Sequence, residues 1–100
     1  MPAYQLTLFY ADAKSNEASL REIRREIDNV SANNWCVLSA GAQVCAIGFV
    51  TDTPPDQLIS RLEPCITGKI HFLLTEIAAV PMARISPEVW QWISTHVPEK

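Results

Sequence analysis

Asp12 is the acidic residue whose place in the sequence best suits a chemical role. It closely follows an alternating apolar segment, Tyr4 to Tyr10, which predicts that its carboxylate stands at the end of a strand. A carboxylate there, near a dimer axis, could hold a divalent metal ion together with its symmetry mate. Aspartate also starts turns routinely, because its side chain accepts backbone hydrogen bonds. Spacing alone favours the turn, and the catalytic, metal-binding role stays open beside it.

Three arginines form a second candidate site. Arg21, Arg24 and Arg25 cluster on the polar face of the first predicted helix and could contact phosphate. Glutamates are interleaved with them, so a neutralised, solvated face is the favoured interpretation. The formal net charge of −3 also disfavours nucleic acids and anionic membranes as partners.

The histidines and cysteines show no arrangement that is typical of a metal or catalytic site. His71 and His96 are isolated, without a second ligand at zinc spacing or the partners of a nucleophile. Cys36, Cys45 and Cys65 lack a CxxC spacing, which predicts free thiols and no cofactor. A short hairpin loop would set Cys36 opposite Cys45, where a disulfide would be strained.

The elements that must position these residues alternate along the chain. Their order, β-α-β-β-α-β-α, predicts an α+β fold: a ferredoxin-like β-α-β-β-α-β sandwich with a four-stranded antiparallel sheet and a C-terminal helix. We expect one domain over residues 1–100, with a core at 3–77 and a C-terminal appendage at 78–100. The predicted elements are a strand Tyr4–Tyr10, a helix capped by Ser15 or Asn16, a hairpin of Trp35–Ser39 and Gln43–Val50, a helix capped by Thr53 with Pro54 at N1, a strand Lys69–Ile77, and a helix that starts at Ser86.

The open face of this sheet is the expected interaction surface. Both long helices lie on one face in such a fold, so residues of the other face, including Phe9, need a cover. The C-terminal appendage or a second copy of the chain could supply it. We therefore expect a homodimer with Phe9, Trp90 and Trp92 at the interface. Alternatively, the tryptophans complete the monomer core; the predicted apolar stripe contains Val89, Trp90, Ile93 and Val97, with Trp92 off it.

The N-terminal sequence bears on location. MPAYQLTLFYADAK has neither the basic nor the apolar region of a signal peptide, and no apolar run is long enough to span a bilayer. We expect a cytoplasmic protein without a membrane partner.

The layout also resembles a known family. The matching pieces are Leu6–Asp12, Trp35-Cys36-Val37-Leu38-Ser39, the helix from Thr53, the strand Ile70–Ile77 and Trp90-Gln91-Trp92-Ile93. They are similar in order to the small CRISPR-associated ferredoxin-fold proteins of the adaptation machinery and their toxin-type relatives. The resemblance implies a dimer formed through the C-terminal appendage and a nuclease that uses Asp12 with magnesium or manganese. The chain departs from the family pattern where Ala11 separates Tyr10 from Asp12.

Three functions follow from these observations. The favoured one is a small homodimeric interaction or adaptor module without catalysis, which binds an unknown protein partner. The second is the metal-dependent nuclease or nucleic-acid-binding protein that the resemblance implies, with Asp12 from both subunits at the metal. The third is a small-molecule sensor whose ligand sits between the sheet faces of a dimer.

Overall fold

The computed structural model describes residues 2–66, 69–77 and 87–96. Its element order confirms the predicted α+β, ferredoxin-like layout. Ser86, where the last helix was predicted to start, and Val97, predicted as part of its apolar stripe, lie outside the described residues. The elements are β1 (Ala3–Phe9), a 3-10 turn (Lys14–Asn16), α1 (Glu17–Ser31), β2 (Trp35–Ala40), β3 (Val44–Val50), α2 (Pro55–Leu62), a 3-10 turn (Glu63–Cys65), β4 (His71–Ile77) and α3 (Pro87–His96).

The four strands form one antiparallel sheet in the order β2-β3-β1-β4. The first strand is therefore central and pairs with β3 on one side and β4 on the other. Leu6, in its middle, lies opposite Ile47 and Leu74. Because side chains alternate along a strand, this register gives the sheet one consistent inner face and one consistent outer face.

The inner face packs against α1 and α2. Leu6, Ile23 and Leu58 bring β1, α1 and α2 into a single apolar cluster, and each is at most 1% exposed. Burial of one such side chain contributes about 1.5–3 kcal/mol. The predicted alternation of β1 is thus confirmed, and Leu20, Ile23 and Ile27 form the apolar stripe of α1. The clustered residues are Tyr4, Leu6, Leu8, Tyr10, Leu20, Ile23, Ile27, Ile47, Phe49, Leu58, Leu62 and Ile70.

The start of α2 differs from the prediction by one residue. Pro54 is the N-cap and Pro55 the first helical residue, so Thr53 does not cap the helix. The hydroxyl of Thr51 instead organises this corner: it donates to the Val30 carbonyl at 2.7 Å and accepts the Thr53 amide at 3.1 Å. Thr51 is 1% exposed, so its hydroxyl takes the place of water as the hydrogen-bond partner of the Val30 carbonyl and the Thr53 amide. The bond to Val30 joins the end of β3 to α1.

The β2–β3 hairpin contains an irregularity that the sequence did not indicate. Cys36 lies opposite Gly48, and Ala40 lies opposite Cys45, with the register shift between Val37 and Ser39. The predicted pairing of Cys36 with Cys45 is therefore wrong, because the hairpin turns at Ala42 and Gln43, where the Gly41 amide donates to the Val44 carbonyl at 2.8 Å. The extra residue in β2 then shifts the register by one further position. The three cysteines are free thiols, as predicted.

The last helix, α3, packs on the outer face of its own chain's sheet. Val89 and Ile93 are buried there against Ala3 and Val50. The predicted stripe is wrong at the tryptophans: Trp92 packs on this cluster, whereas Trp90 is 37% exposed. Helix geometry allows either tryptophan, because Trp92 stands three positions after Val89 and Trp90 three positions before Ile93. The cluster on the sheet includes Trp92.

Candidate functional site

The outer face of the sheet is divided into a covered half and an open half. The row Val50, Ala3 and Ile77 lies under α3. At the other end of the strands, Val44 lies beside Phe9 in the register. These rows are far apart along β1, so α3 covers one end of the face and leaves the other open.

Large apolar side chains are exposed in the open half. Phe9 is 45% exposed, Val44 38% and Leu73 55%. In the sheet register Phe9 is flanked by Val44 and His71, and Leu73 lies opposite Thr7 in the next row. These five residues form a continuous surface, which we call the open sheet patch. An exposed apolar patch of this kind marks an interaction site more often than a free surface.

The outer face also lacks full charges. No lysine, arginine, aspartate or glutamate lies at its positions in the four described strands, and depletion of charge is typical of interface cores. These positions are Ala3, Gln5, Thr7, Phe9, Cys36, Leu38, Ser39, Val44, Ala46, Gly48, Val50, His71, Leu73, Thr75 and Ile77.

The predicted interface residues differ in their surroundings. Phe9 belongs to the open sheet patch, and Trp90 is exposed on α3. Trp92 is half-buried within its own chain, where its ring lies over Gly48 and 4.8 Å from the His96 ring, centroid to centroid. Phe9 and Trp90 are therefore free to contact another molecule, whereas Trp92 is engaged in fixing α3 to the sheet.

Asp12 organises the turn between β1 and α1. Its Oδ1 accepts the Lys14 amide at 3.3 Å, and its Oδ2 accepts the Ser15 amide at 3.2 Å and the Ser15 hydroxyl at 2.7 Å. These bonds, above all those from the Ser15 hydroxyl and the Lys14 amide, hold the pKa of the exposed Asp12 carboxyl below its usual value. Asn16, one of the two predicted caps, is the N-cap residue of α1, but its side chain makes no capping hydrogen bond. The Asn16 amide instead donates to the Asp12 carbonyl, and the Ser15 hydroxyl donates to the Asp12 carboxylate.

The surroundings of Asp12 bear on its predicted role as a ligand of magnesium or manganese. Such ions are held by several oxygen ligands at once. Within residues 2–66, 69–77 and 87–96, no three His, Cys, Asp or Glu side chains come together as a metal site. Asp12 would supply a lone carboxylate that already accepts three hydrogen bonds. Within the described ranges the predicted metal-binding role of Asp12 therefore has no ligand cluster to support it, and its pairing with Asp12 of a second copy stays a prediction.

The three arginines of α1 do not act as one cluster. Arg21 pairs with Glu17 and Arg25 with Glu22, each at 3.3 Å on an exposed surface, as expected for a neutralised helix face. Arg24 has no ion pair within the described part of the chain. It lies instead at a pocket of about 190 Å³ between α1 and the hairpin end of the sheet.

The amino-acid sequence did not indicate this pocket. Its walls include Leu8, Leu20 and Ile47, and Tyr10, Arg24 and Cys45 add polar atoms. Apart from Tyr10, which follows β1, these residues belong to β1, α1 and β3 and have no common spacing in the chain, so only the packing of α1 on the sheet brings them together. The charge pattern of α1 did not mark Arg24 either, because Asp28 stands at i+4 from it in the sequence. In the structure Asp28 instead accepts the Trp35 indole N–H at 2.8 Å.

Comparisons with known proteins add no family to these observations. The chain matches no protein-family model, and it has no significant match among curated proteins or solved structures. None of the helices in the described ranges has the length and apolar character needed to cross a membrane. The candidate sites are thus defined by geometry: the open sheet patch on the outer face and the pocket on the inner face.

Proposed function

We propose that this chain is a small homodimeric interaction module without catalytic activity, in which the open sheet patch pairs with the same patch of a second copy. The carrying observation is the exposure of Phe9, Val44 and Leu73 side by side on a sheet face without full charges. Burial of this surface against a partner removes apolar area from water, which is favourable by about 25 cal/mol per Å².

Charge supports a second copy as the occupant. A two-fold axis sets the same surface of both protomers face to face, so a charged group near the axis lies close to the identical charge of the partner and is repelled by it. The open sheet patch avoids this penalty because His71 is its single titratable group, although the chain as a whole has a net charge of −3. Lys69 borders the patch beside Phe9 and His71, and a strongly basic partner would find no complementary charge on the patch itself.

Sedimentation equilibrium of a matched pair of variants tests the proposal. Leu73→Glu places a carboxylate in the patch at a side chain that is 55% exposed, so the monomer fold tolerates it. A buried, unpaired charge costs association about 2–5 kcal/mol, which predicts a dimer at least about tenfold weaker than that of the wild type. Val37→Glu is the control, because Val37 is 36% exposed but stands on the inner face of edge strand β2.

Two results would contradict the dimer. One is a wild-type protein that stays monomeric at millimolar concentration. The other is equal dissociation in Leu73→Glu and Val37→Glu, since only the former alters the open sheet patch.

The nuclease that the family resemblance implies is the competing function. It rests on Asp12, whose carboxylate is used in the turn before α1. The proposal predicts no cleavage of labelled single- or double-stranded RNA or DNA with magnesium or manganese. Cleavage by the wild type that disappears in Asp12→Asn would replace the interaction module with the nuclease.

A further inference from the structure

The pocket beside Arg24 combines an apolar interior with a cation. It opens between α1 and the hairpin end of the sheet, on the inner face, opposite the open sheet patch. Leu8, Leu20 and Ile47 give it aliphatic walls. Its volume of about 190 Å³ exceeds that of an apolar cavity of about 150 Å³, which suffices for benzene. The interior therefore accepts an apolar group the size of one six-membered ring or a short alkyl chain.

Arg24 supplies a positive charge to this pocket. Among the described residues it lacks the carboxylate that its neighbours Arg21 and Arg25 have. Its charge reaches the pocket interior: burial raises the pKa of the Cys45 thiol, and Arg24 acts in the opposite direction. The same opposition holds at Tyr10, where burial and Cys45 raise the pKa of the hydroxyl and Arg24 lowers it.

The Tyr10 hydroxyl does not compete with Arg24 as a hydrogen-bond donor to a ligand. Its hydroxyl donates to the Gly41 carbonyl at 3.0 Å, so the hydroxyl proton is already used. The guanidinium is then the strong donor at the pocket, and its fork geometry matches a carboxylate with two parallel hydrogen bonds.

We propose that this pocket binds a small carboxylate with an apolar body, such as an aromatic acid of benzoate size or a short-chain fatty acid. The apolar body lies among Leu8, Leu20 and Ile47, and the carboxylate pairs with Arg24. A neutral apolar compound would leave Arg24 unused, and a bare phosphate would leave the apolar walls unused. The inference stands apart from the dimer, because the pocket and the open sheet patch are on opposite faces of the sheet.

An NMR amide titration with benzoate at constant ionic strength tests it, with neutral benzamide as the comparison ligand. We expect saturable shifts at Leu8, Leu20 and Ile47 and a preference for benzoate over benzamide. Arg24→Gln should weaken benzoate binding about tenfold or more and abolish that preference, since a charge-assisted bond is lost. Arg25→Gln is the matched control on the same helix and should bind like the wild type.

A second variant tests the position of the apolar body. Cys45→Met adds volume to the pocket from β3 without a charge, and it should displace benzoate while Arg24 remains. The proposal is overturned by non-saturating shifts, by equal affinity for benzoate and benzamide, or by Arg25→Gln weakening binding as much as Arg24→Gln. It is also overturned if a folded Cys45→Met protein binds benzoate as tightly as the wild type.

Discussion

Gly48 lies beneath Trp92 in a space too small for a methyl group. A Cβ at this position would stand 2.8 Å from Cζ3 and 3.2 Å from Cη2 of Trp92, and 3.2 Å from Cδ2 of Leu38. The φ angle of Gly48 is not positive, so the backbone itself accepts alanine. Substitution Gly48→Ala therefore measures how firmly α3 is packed on its own sheet.

The expected cost follows from these distances. Carbon atoms prefer to be about 3.5–4.0 Å apart, so the Trp92 ring must withdraw by roughly 0.7 Å from its 2.8 Å contact. Overpacking of this kind costs about 1–3 kcal/mol, whereas alanine gains about 0.5–1 kcal/mol over glycine in a strand. The net loss of unfolding free energy is about 0–2.5 kcal/mol. Each kcal/mol lowers the Tm of a domain of this size by about 4–8 °C.

A double-mutant cycle isolates the contact. Urea unfolding followed by circular dichroism should show that Gly48→Ala is neutral or slightly stabilising once Trp92→Ala has removed the ring, which gives a coupling energy of at least about 1 kcal/mol. Gly41→Ala is the control, because its Cβ meets nothing nearer than 3.4 Å. An equal cost of Gly48→Ala with and without the Trp92 ring would refute the placement of α3.

Two further predictions concern the turns that join helices to strands. Asp12→Ala should lower the Tm near neutral pH. Because hydrogen bonds depress the folded-state pKa of Asp12, its stabilisation exists above the unfolded pKa of about 4 and is lost as the pH falls through the folded pKa. Thermal scans of both proteins should thus converge in acid, and a gap that widens there would contradict the sign. Thr51→Val should cost about 1–3 kcal/mol in urea unfolding, because it deprives the Val30 carbonyl and the Thr53 amide of their partner in a buried corner. Thr53→Val, which removes a hydroxyl 3.1 Å from that of Thr51, should cost less; equal losses would contradict this role for Thr51.

The fold was predictable because local patterns and tertiary structure agree. Alternation in β1 and the 3-4 spacing of Leu20, Ile23 and Ile27 place apolar side chains on single faces, and those faces meet in the core. The turn role of Asp12 was also visible, since an aspartate can bond the amides two and three residues ahead of it.

Features that depend on long-range packing were not predictable. The bulge at Leu38 depends on which residues of β3 lie opposite, and β2 contains no glycine or proline that would indicate it. The face of α3 was mistaken because its short apolar sequence allows two stripes, and the sheet beneath selects the one with Trp92 rather than Trp90. The pocket beside Arg24 exists only where α1 crosses the hairpin end of the sheet, so its residues share no motif.

The dimer is tested most directly by NMR on a mixture of isotopically labelled and unlabelled protein, in which filtered experiments detect only contacts between copies. The proposed function predicts nuclear Overhauser effects between protomers from the Phe9 ring and from the methyl groups of Val44 and Leu73. These signals should disappear in Leu73→Glu while the intramolecular contacts of Ile47 persist. Contacts between copies that avoid the open sheet patch, or none at concentrations where dimers should form, would contradict the account.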